Sequence, residues 1–413
     1  YIDSEGKSLD TKFDAWVVGL KALTVSGPGL SVPALNLGDF SYTPATHTGA
    51  HTYDLGVVPN TVNTLDITAT SAIADTEGGA SFTITPVPDD GNADSGETET
   101  ISLAEGRNTI TITVSLDKRD GNPLSNPSSN NIEKRTYTLT ICRTPEVYVS
   151  SPGSTPPGND STGDGSQNKP YATIQKALEK AKTFDLGGIP GAEVIIIISG
   201  TVTAVSGAVT NDSMVDISGS GYPHIILKVA DTGTNAINAS LTKRVLYIGG
   251  GNTVSLEDNL TLTGGSASNN GGGVLVAGGT FVMTGGVIQN NIATYFGGGV
   301  YVSSGTFTMT GGTIEGNDTL YGGGIFASST TGVTIIKTGG TIAGSPAVSP
   351  LLPNTASSGG HAVYLTGISS KKRDATAGTD VNLYAKYDGS VWNCVDPLPI
   401  ADGGAGDTTG AWD

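Results

Sequence analysis

The chain has 413 residues, of which 37% are hydrophobic, only 14% are charged and 60 are Gly, about twice the ordinary share. Apolar surface is plentiful and charge is sparse, which excludes a disordered chain, and the glycines do not recur every third residue, which excludes collagen. A net charge of −17 argues against nucleic-acid binding, and no apolar run approaches the roughly 18 residues of a membrane-spanning helix.

The chain opens at Tyr1 with neither Met nor an apolar leader, so it is expected to be processed or excerpted. Residues 14 to 144 then carry short β-branched runs divided by turn residues. In Asn108 to Val114, Ile110, Ile112 and Val114 alternate with Thr109, Thr111 and Thr113. Arg135 to Cys142 repeats the pattern, with Tyr137, Leu139 and Ile141 on one side. Period-2 alternation marks strands with one buried face, and several such strands without a helical pattern predict an antiparallel β-sandwich over residues 1–144.

The order of Leu20-Lys-Ala-Leu-Thr-Val-Ser26, Leu103 to Val114 and Thr136 to Arg143 resembles the bacterial cadherin-like β-sandwich module. The resemblance implies an extracellular spacer or adhesion module with no chemistry attached. Two polar inserts, Pro86 to Glu99 and Gly121 to Asn131, depart from it. The first holds Asp89, Asp90, Asp94 and Glu97 around Gly, a set of hard oxygen donors for which calcium is the candidate ion. Its spacing does not match an EF-hand, and a solvated hairpin tip is the simpler explanation. No other cofactor is expected.

Residues 145–170 contain an extended run, Val147 to Ser151, and a Gly/Pro/Ser-rich linker. Asp160 and Asp164 there are either cation ligands or ordinary turn residues. Pro170 to Lys182 places Ile174, Ala177, Leu178 and Ala181 at i, i+3, i+4 and i+7, the apolar stripe of the one helix expected. Strand, Gly/Asp-rich loop and Lys169-Pro-Tyr-Ala-Thr-Ile-Gln-Lys-Ala-Leu178 resemble the start of secreted pectin-lyase-like parallel β-helix proteins. In that class the helix plugs the open end of the coil.

The second half repeats. Gly triplets beginning at Gly271, Gly297 and Gly322 recur after 26 and then 25 residues, and the first two units continue into Gly-Thr-Phe-x-Met-Thr-Gly-Gly-x-Ile-x-x-Asn. Three short β runs per unit predict a three-sided parallel β-helix over residues 171–413, and the pectin-lyase-like resemblance implies that it is right-handed. Val300, Phe307, Met309 and Ile314 are expected inside, stacked on Val274, Phe281, Met283 and Ile288, and Asn291 and Asn317 are expected to form an amide ladder at a turn. The first coils are expected at Val194–Ile198, His224–Val229, Arg244–Ile248 and Leu260–Thr263, and the last at Ala362–Leu365 and Val381–Ala385. The repeats resemble those of bacterial polymorphic outer-membrane and adhesin-type surface proteins. The whole is thus an all-β, secreted or cell-surface protein.

Candidate chemistry is thin. A polysaccharide lyase or glycosidase would need a base or paired carboxylates, and Glu315 with Asp318 is the one acid pair in residues 259–360. Lys371 to Asp374 is a basic cluster that a solvated loop explains. His47 and His51 lack a third ligand, no Ser-His-Asp arrangement is visible, and Cys142 and Cys394 are too far apart in sequence for a metal motif. Both cysteines are expected as separate buried thiols, and no enzyme is expected. Alternation turns Tyr301, Phe326 and Tyr364 outward in one row after Leu275, with Tyr295 and Tyr321 in a second. These aromatic rows are the candidate binding surface, for self-association or for a glycan or protein, unless the loop Ser345 to Gly360 or the sandwich covers them.

Overall fold

The structure is a computed structural model. It describes residues 20–26, 51–71, 80–86, 98–117, 132–203, 210–230, 232–344, 350–366, 371–373, 383–387 and 392–395. The chain forms two compact units. One comprises residues 1–145 and 184–192, and the other 146–183 and 193–413.

The first unit contains β1 (Leu20–Ser26), β2 (His51–Val58), β3 (Thr64–Ser71), β4 (Ala80–Thr85), β5 (Thr98–Ser102), β6 (Gly106–Asp117) and β7 (Ile132–Arg143). They form two sheets, ordered β1-β3-β5 and β2-β7-β6-β4. Alternation decides the inner faces. Ile110, Ile112 and Val114 of β6 and Tyr137, Leu139 and Ile141 of β7 are buried in one core with Leu23, Leu65, Ile67 and Ile101 of the other sheet. The sandwich departs from the expected antiparallel pattern at one place, since β2 runs parallel to β7. A parallel neighbour needs a long connection, and the chain between Val58 and Ile132 supplies it. Arg143 ties the end of β7 to neighbouring turns: Nε and Nη2 donate to the Asn60 carbonyl and Oδ1 at 2.8 and 2.9 Å, and Nη1 donates to the Leu103 carbonyl at 2.9 Å.

The second unit is a parallel solenoid. Its first strand is β8 (Glu146–Ser150), which pairs in parallel with Glu193–Ser199. From there one ladder continues through His224–Val229, Thr253–Leu256, Val274–Met283 and Val300–Met309. A second runs from Thr201–Thr203 through Asn235–Asn238, Leu260–Thr263, Val287–Gln289 and Thr313–Glu315 to Thr341–Ile342. A third links Ser266–Ala267, Ile292–Ala293, Asp318–Thr319 and Thr355–Ala356.

Register stacks like on like. Val274, Phe281, Met283 and Ile288 pair with Val300, Phe307, Met309 and Ile314, and all eight are fully buried. The rings of Phe281 and Phe307 stack with centroids 5.5 Å apart. The Gly triplets have a steric reason. Gly297 takes a φ of +64°, and a Cβ on Gly299 would lie 2.6 Å from the Gly324 carbonyl oxygen of the next coil.

The one α-helix among the described residues, α1 (Ile174–Ala181), buries Ile174, Ala177, Leu178 and Ala181 as the periodicity requires. Thr173 caps it, accepting from Lys176 N–H at 3.3 Å. Asp160 fixes the cap in turn, accepting from Ala172 N–H at 2.8 Å, Thr173 N–H at 3.0 Å and the Thr173 hydroxyl at 2.7 Å. At the other end the expected last coil at Val381–Ala385 is not a coil. Leu383–Tyr387 runs antiparallel to Thr334–Lys337, and Lys371–Arg373 runs antiparallel to Val363–Leu365. An antiparallel strand satisfies the last parallel edges without templating another turn.

The amide ladder is present and longer than expected, because Asn354 extends it. Asn291, Asn317 and Asn354 are fully buried. The Asn291 amide donates to Asn317 Oδ1 at 3.0 Å and to the Leu262 carbonyl at 3.1 Å. The Asn317 amide donates to Asn354 Oδ1 at 3.0 Å and to the Ile288 carbonyl at 2.9 Å. Their Oδ1 atoms accept backbone N–H bonds from Gly265, Asn291 and Asn317. Replacing Asn317 by Ala strands partners on both adjoining coils, and each buried polar group left unpaired costs about 1–3 kcal/mol. Asn317→Ala is expected to lower the unfolding free energy by about 2–4 kcal/mol in urea denaturation.

Candidate functional site

The aromatic rows arise from the same register that builds the core. Tyr247, Leu275, Tyr301, Phe326 and Tyr364 are successive partners on neighbouring strands. Strand spacing of about 4.8 Å suits aromatic pairs, whose centroids prefer roughly 4.5–7 Å. Phe326 stacks on Tyr364 at 5.4 Å with an interplanar angle of 3°, and Tyr301 lies 5.4 Å from Phe326, tilted by 50°. In the second row Tyr321 is tied to Tyr295 through the backbone and to the first row through its ring. Its N–H bonds to the Tyr295 carbonyl at 3.0 Å, and its ring meets Tyr364 edge-on at 5.2 Å.

Phe296, which sequence reasoning passed over, knits the two rows together. Its ring stacks on Phe326 at 4.4 Å and lies 6.0–6.3 Å from Tyr321 (6.0 Å), Tyr301 (6.2 Å) and Tyr295 (6.3 Å). This corrects one expectation. Phe326 does not face solvent: it is 3% exposed, because Phe296 and Tyr364 both stack on it. Tyr295 remains 50% exposed, and Tyr301, Tyr321 and Tyr364 are half-buried. Burial pushes the Tyr301 hydroxyl up, against a hydrogen bond with Ser328. The face therefore offers a largely uncharged edge of tyrosines over a stacked aromatic base.

The candidate acids divide. Asp89, Asp90, Asp94 and Glu97 lie outside the described residues, as does His47. Among the described residues no group of three or more His, Cys, Asp or Glu is placed to hold a metal ion. Glu315 and Asp318 both hold the loop after residue 350: Glu315 Oε2 accepts from Leu352 N–H at 3.0 Å, and Asp318 Oδ1 accepts from the Thr355 hydroxyl. Asp164 accepts from Ser166 N–H at 2.9 Å, and its hydrogen bonds with Ser166 hold its carboxyl below the usual range. His361 Nδ1 accepts from Ala356 N–H at 3.0 Å. Cys142 is buried and not in a disulfide, and burial pushes its thiol up. Lys371–Arg373 is a strand rather than a loop, and Asp374 lies outside the described residues.

Folding also assembles a Ser–His–Glu group that no sequence motif marks. Glu193, His224 and Ser255 lie on three successive strands of one ladder, each 31 residues after the last. His224 Nε2 is 2.8 Å from Ser255 Oγ, and His224 Nδ1 is 3.4 Å from Glu193 Oε2. Burial lowers the His224 pKa; it raises that of Glu193, to which the nearby Glu257 adds. The equal spacing is a signal in the sequence, but only to a reader who already knows the coil length at this end of the solenoid.

Residues 20–144 match the family model of the cadherin-like beta sandwich domain. The chain thus joins a cadherin-like sandwich to a parallel β-solenoid. No curated protein and no solved structure matches it.

The burial difference along the aromatic row is testable by denaturation. Phe326→Ala is expected to destabilise the protein by about 3–5 kcal/mol, as for a buried aromatic ring. Tyr295→Ala is expected to stay within about 0.5 kcal/mol of the parent.

Proposed function

We propose that this chain is an adhesive component of a bacterial cell surface or extracellular layer, acting through its tyrosine face with no chemistry at that face. In this role the cadherin-like sandwich serves as a spacer and the solenoid, of the right-handed pectin-lyase-like type with adhesin-type repeats, serves as the contact module. The observation that carries it is the tyrosine face. Successive coils place Tyr295, Tyr301, Tyr321 and Tyr364 together in a stretch where Glu315, Asp318 and Lys337 are the only charges between residues 259 and 360. Lys337 is buried, and the two carboxylates hold a loop. Such a face suits an uncharged partner, since tyrosines give apolar contact and hydroxyls at little entropic cost.

Adhesion is favoured over end-to-end filament growth. The parallel edges at Thr334–Lys337 and Val363–Leu365 already carry antiparallel strands, so a second copy cannot continue those ladders. Engagement of the two carboxylates with the 350–355 loop also weighs against polysaccharide cleavage.

Two measurements test the proposal. Light scattering across a concentration series is expected to hold near the chain mass of 41.7 kDa. On an array of neutral and acidic polysaccharides and matrix proteins, binding is expected to a neutral ligand. It should weaken at least about tenfold in the Tyr295→Ala, Tyr321→Ala double variant, the loss of a little over 1.4 kcal/mol of contact. A mass that grows with concentration, or binding untouched by the double variant, would overturn it.

A further inference from the structure

We propose that Ser255, His224 and Glu193 form a nucleophilic serine site that accepts small acyl groups from esters. The site lies on a separate row of the solenoid from the tyrosines and does not depend on the adhesive role.

The chemistry follows from which atoms face each other. An ionised Glu193 carboxylate can only accept hydrogen bonds, so its Oε2, 3.4 Å from Nδ1, favours the neutral His224 tautomer with the proton on Nδ1. In that tautomer Nε2 carries the lone pair and can accept from the Ser255 hydroxyl, 2.8 Å away. This is the tautomer in which an imidazole takes a proton from a hydroxyl, with a carboxylate orienting the ring. Burial keeps His224 neutral to lower pH than an exposed histidine, so it stays able to accept. The side chains of His224 and Glu193 are 34% and 29% exposed, while Ser255 is 7% exposed. Access of this kind restricts the acyl group to a small one, such as acetyl. Nearby, Glu257 adds negative charge beside Glu193, and Lys228 sits 3.9 Å from Glu257.

In the step proposed, Ser255 Oγ attacks the ester carbonyl carbon as its proton passes to His224 Nε2. The Oγ–C bond forms, the bond to the leaving oxygen breaks, and the leaving alcohol takes the proton from Nε2. Water then adds to the acyl-serine by the reverse route, releasing the carboxylic acid and restoring Ser255. Strand pairing holds the three residues, because Glu193 is the register partner of His224, and Ser255 is the partner of Ile226, two residues along.

The test is covalent labelling of the whole chain with a fluorophosphonate and with 4-nitrophenyl acetate, followed by peptide mass mapping. A single adduct is expected on Ser255, absent in Ser255→Ala. Its rate should fall at least about tenfold in His224→Gln, in line with loss of a general base, and by less in Glu193→Gln. With the parent protein alone, the rate should rise with pH around a midpoint below the ordinary histidine value of 6.5. That profile decides the matter even if a variant fails to fold. No adduct on Ser255, a flat pH profile, or an unchanged rate in a folded His224→Gln would overturn the proposal.

Discussion

Each coil of the solenoid hands its backbone hydrogen bonds to the next, which sets equivalent residues about 4.8 Å apart along the stack. Whatever one coil places at a position must therefore be compatible with a near copy of itself above and below. Phe281 over Phe307 satisfies this by ring stacking, and Asn291, Asn317 and Asn354 satisfy it by passing amide hydrogen bonds up the stack. The Gly triplets satisfy it by absence, since any Cβ on Gly299 would meet the carbonyl of Gly324. Charge satisfies it poorly, because like charges on adjacent coils repel, and the repeat region is accordingly almost uncharged.

The same constraint produces the tyrosine face. Outward positions are stacked as strictly as inward ones, so Tyr301, Phe326 and Tyr364 gather without any pocket being built for them. Phe296 then covers the middle of the row, which turns Phe326 into a small outer core and leaves the tyrosines around it. Stacking also explains why acids and bases rarely meet here. Where they do, as at Glu193 and His224, they are direct partners on adjacent strands. The ends of the stack obey a different rule, since an edge that templates one coil would template another chain. Antiparallel strands end that series at residues 334–337 and 363–365, and α1 lies against β8 near the start.

Much of this is legible in the residues. Alternation placed the buried faces of β6 and β7, and the four helical positions of α1 are the four that are buried. The 26-residue spacing placed the inward rows and two members of the asparagine ladder. Asn354 was not legible, since it follows Asn317 by 37 residues and so falls outside the repeat. The parallel pairing of β2 with β7 was not legible either, because alternation states which face is buried and nothing about the direction of a distant neighbour. The candidate binding residues were found by outward alternation, but their exposure was not, because it depends on Phe296 one turn away.

The sequence by itself determined the all-β class, the sandwich strands, the repeating coil and the capping helix, since each rests on periodicities a few residues long. Only the tertiary structure decided which coil lies on which, and with it every contact between residues about 25 to 40 positions apart. Those contacts bury Phe326, engage Glu315 and Asp318 with a loop, and bring Ser255, His224 and Glu193 within reach of one another. The physical reason is that local pattern dictates which way a side chain points, whereas its neighbours are chosen by the register of strands that meet only when the chain has wound back on itself.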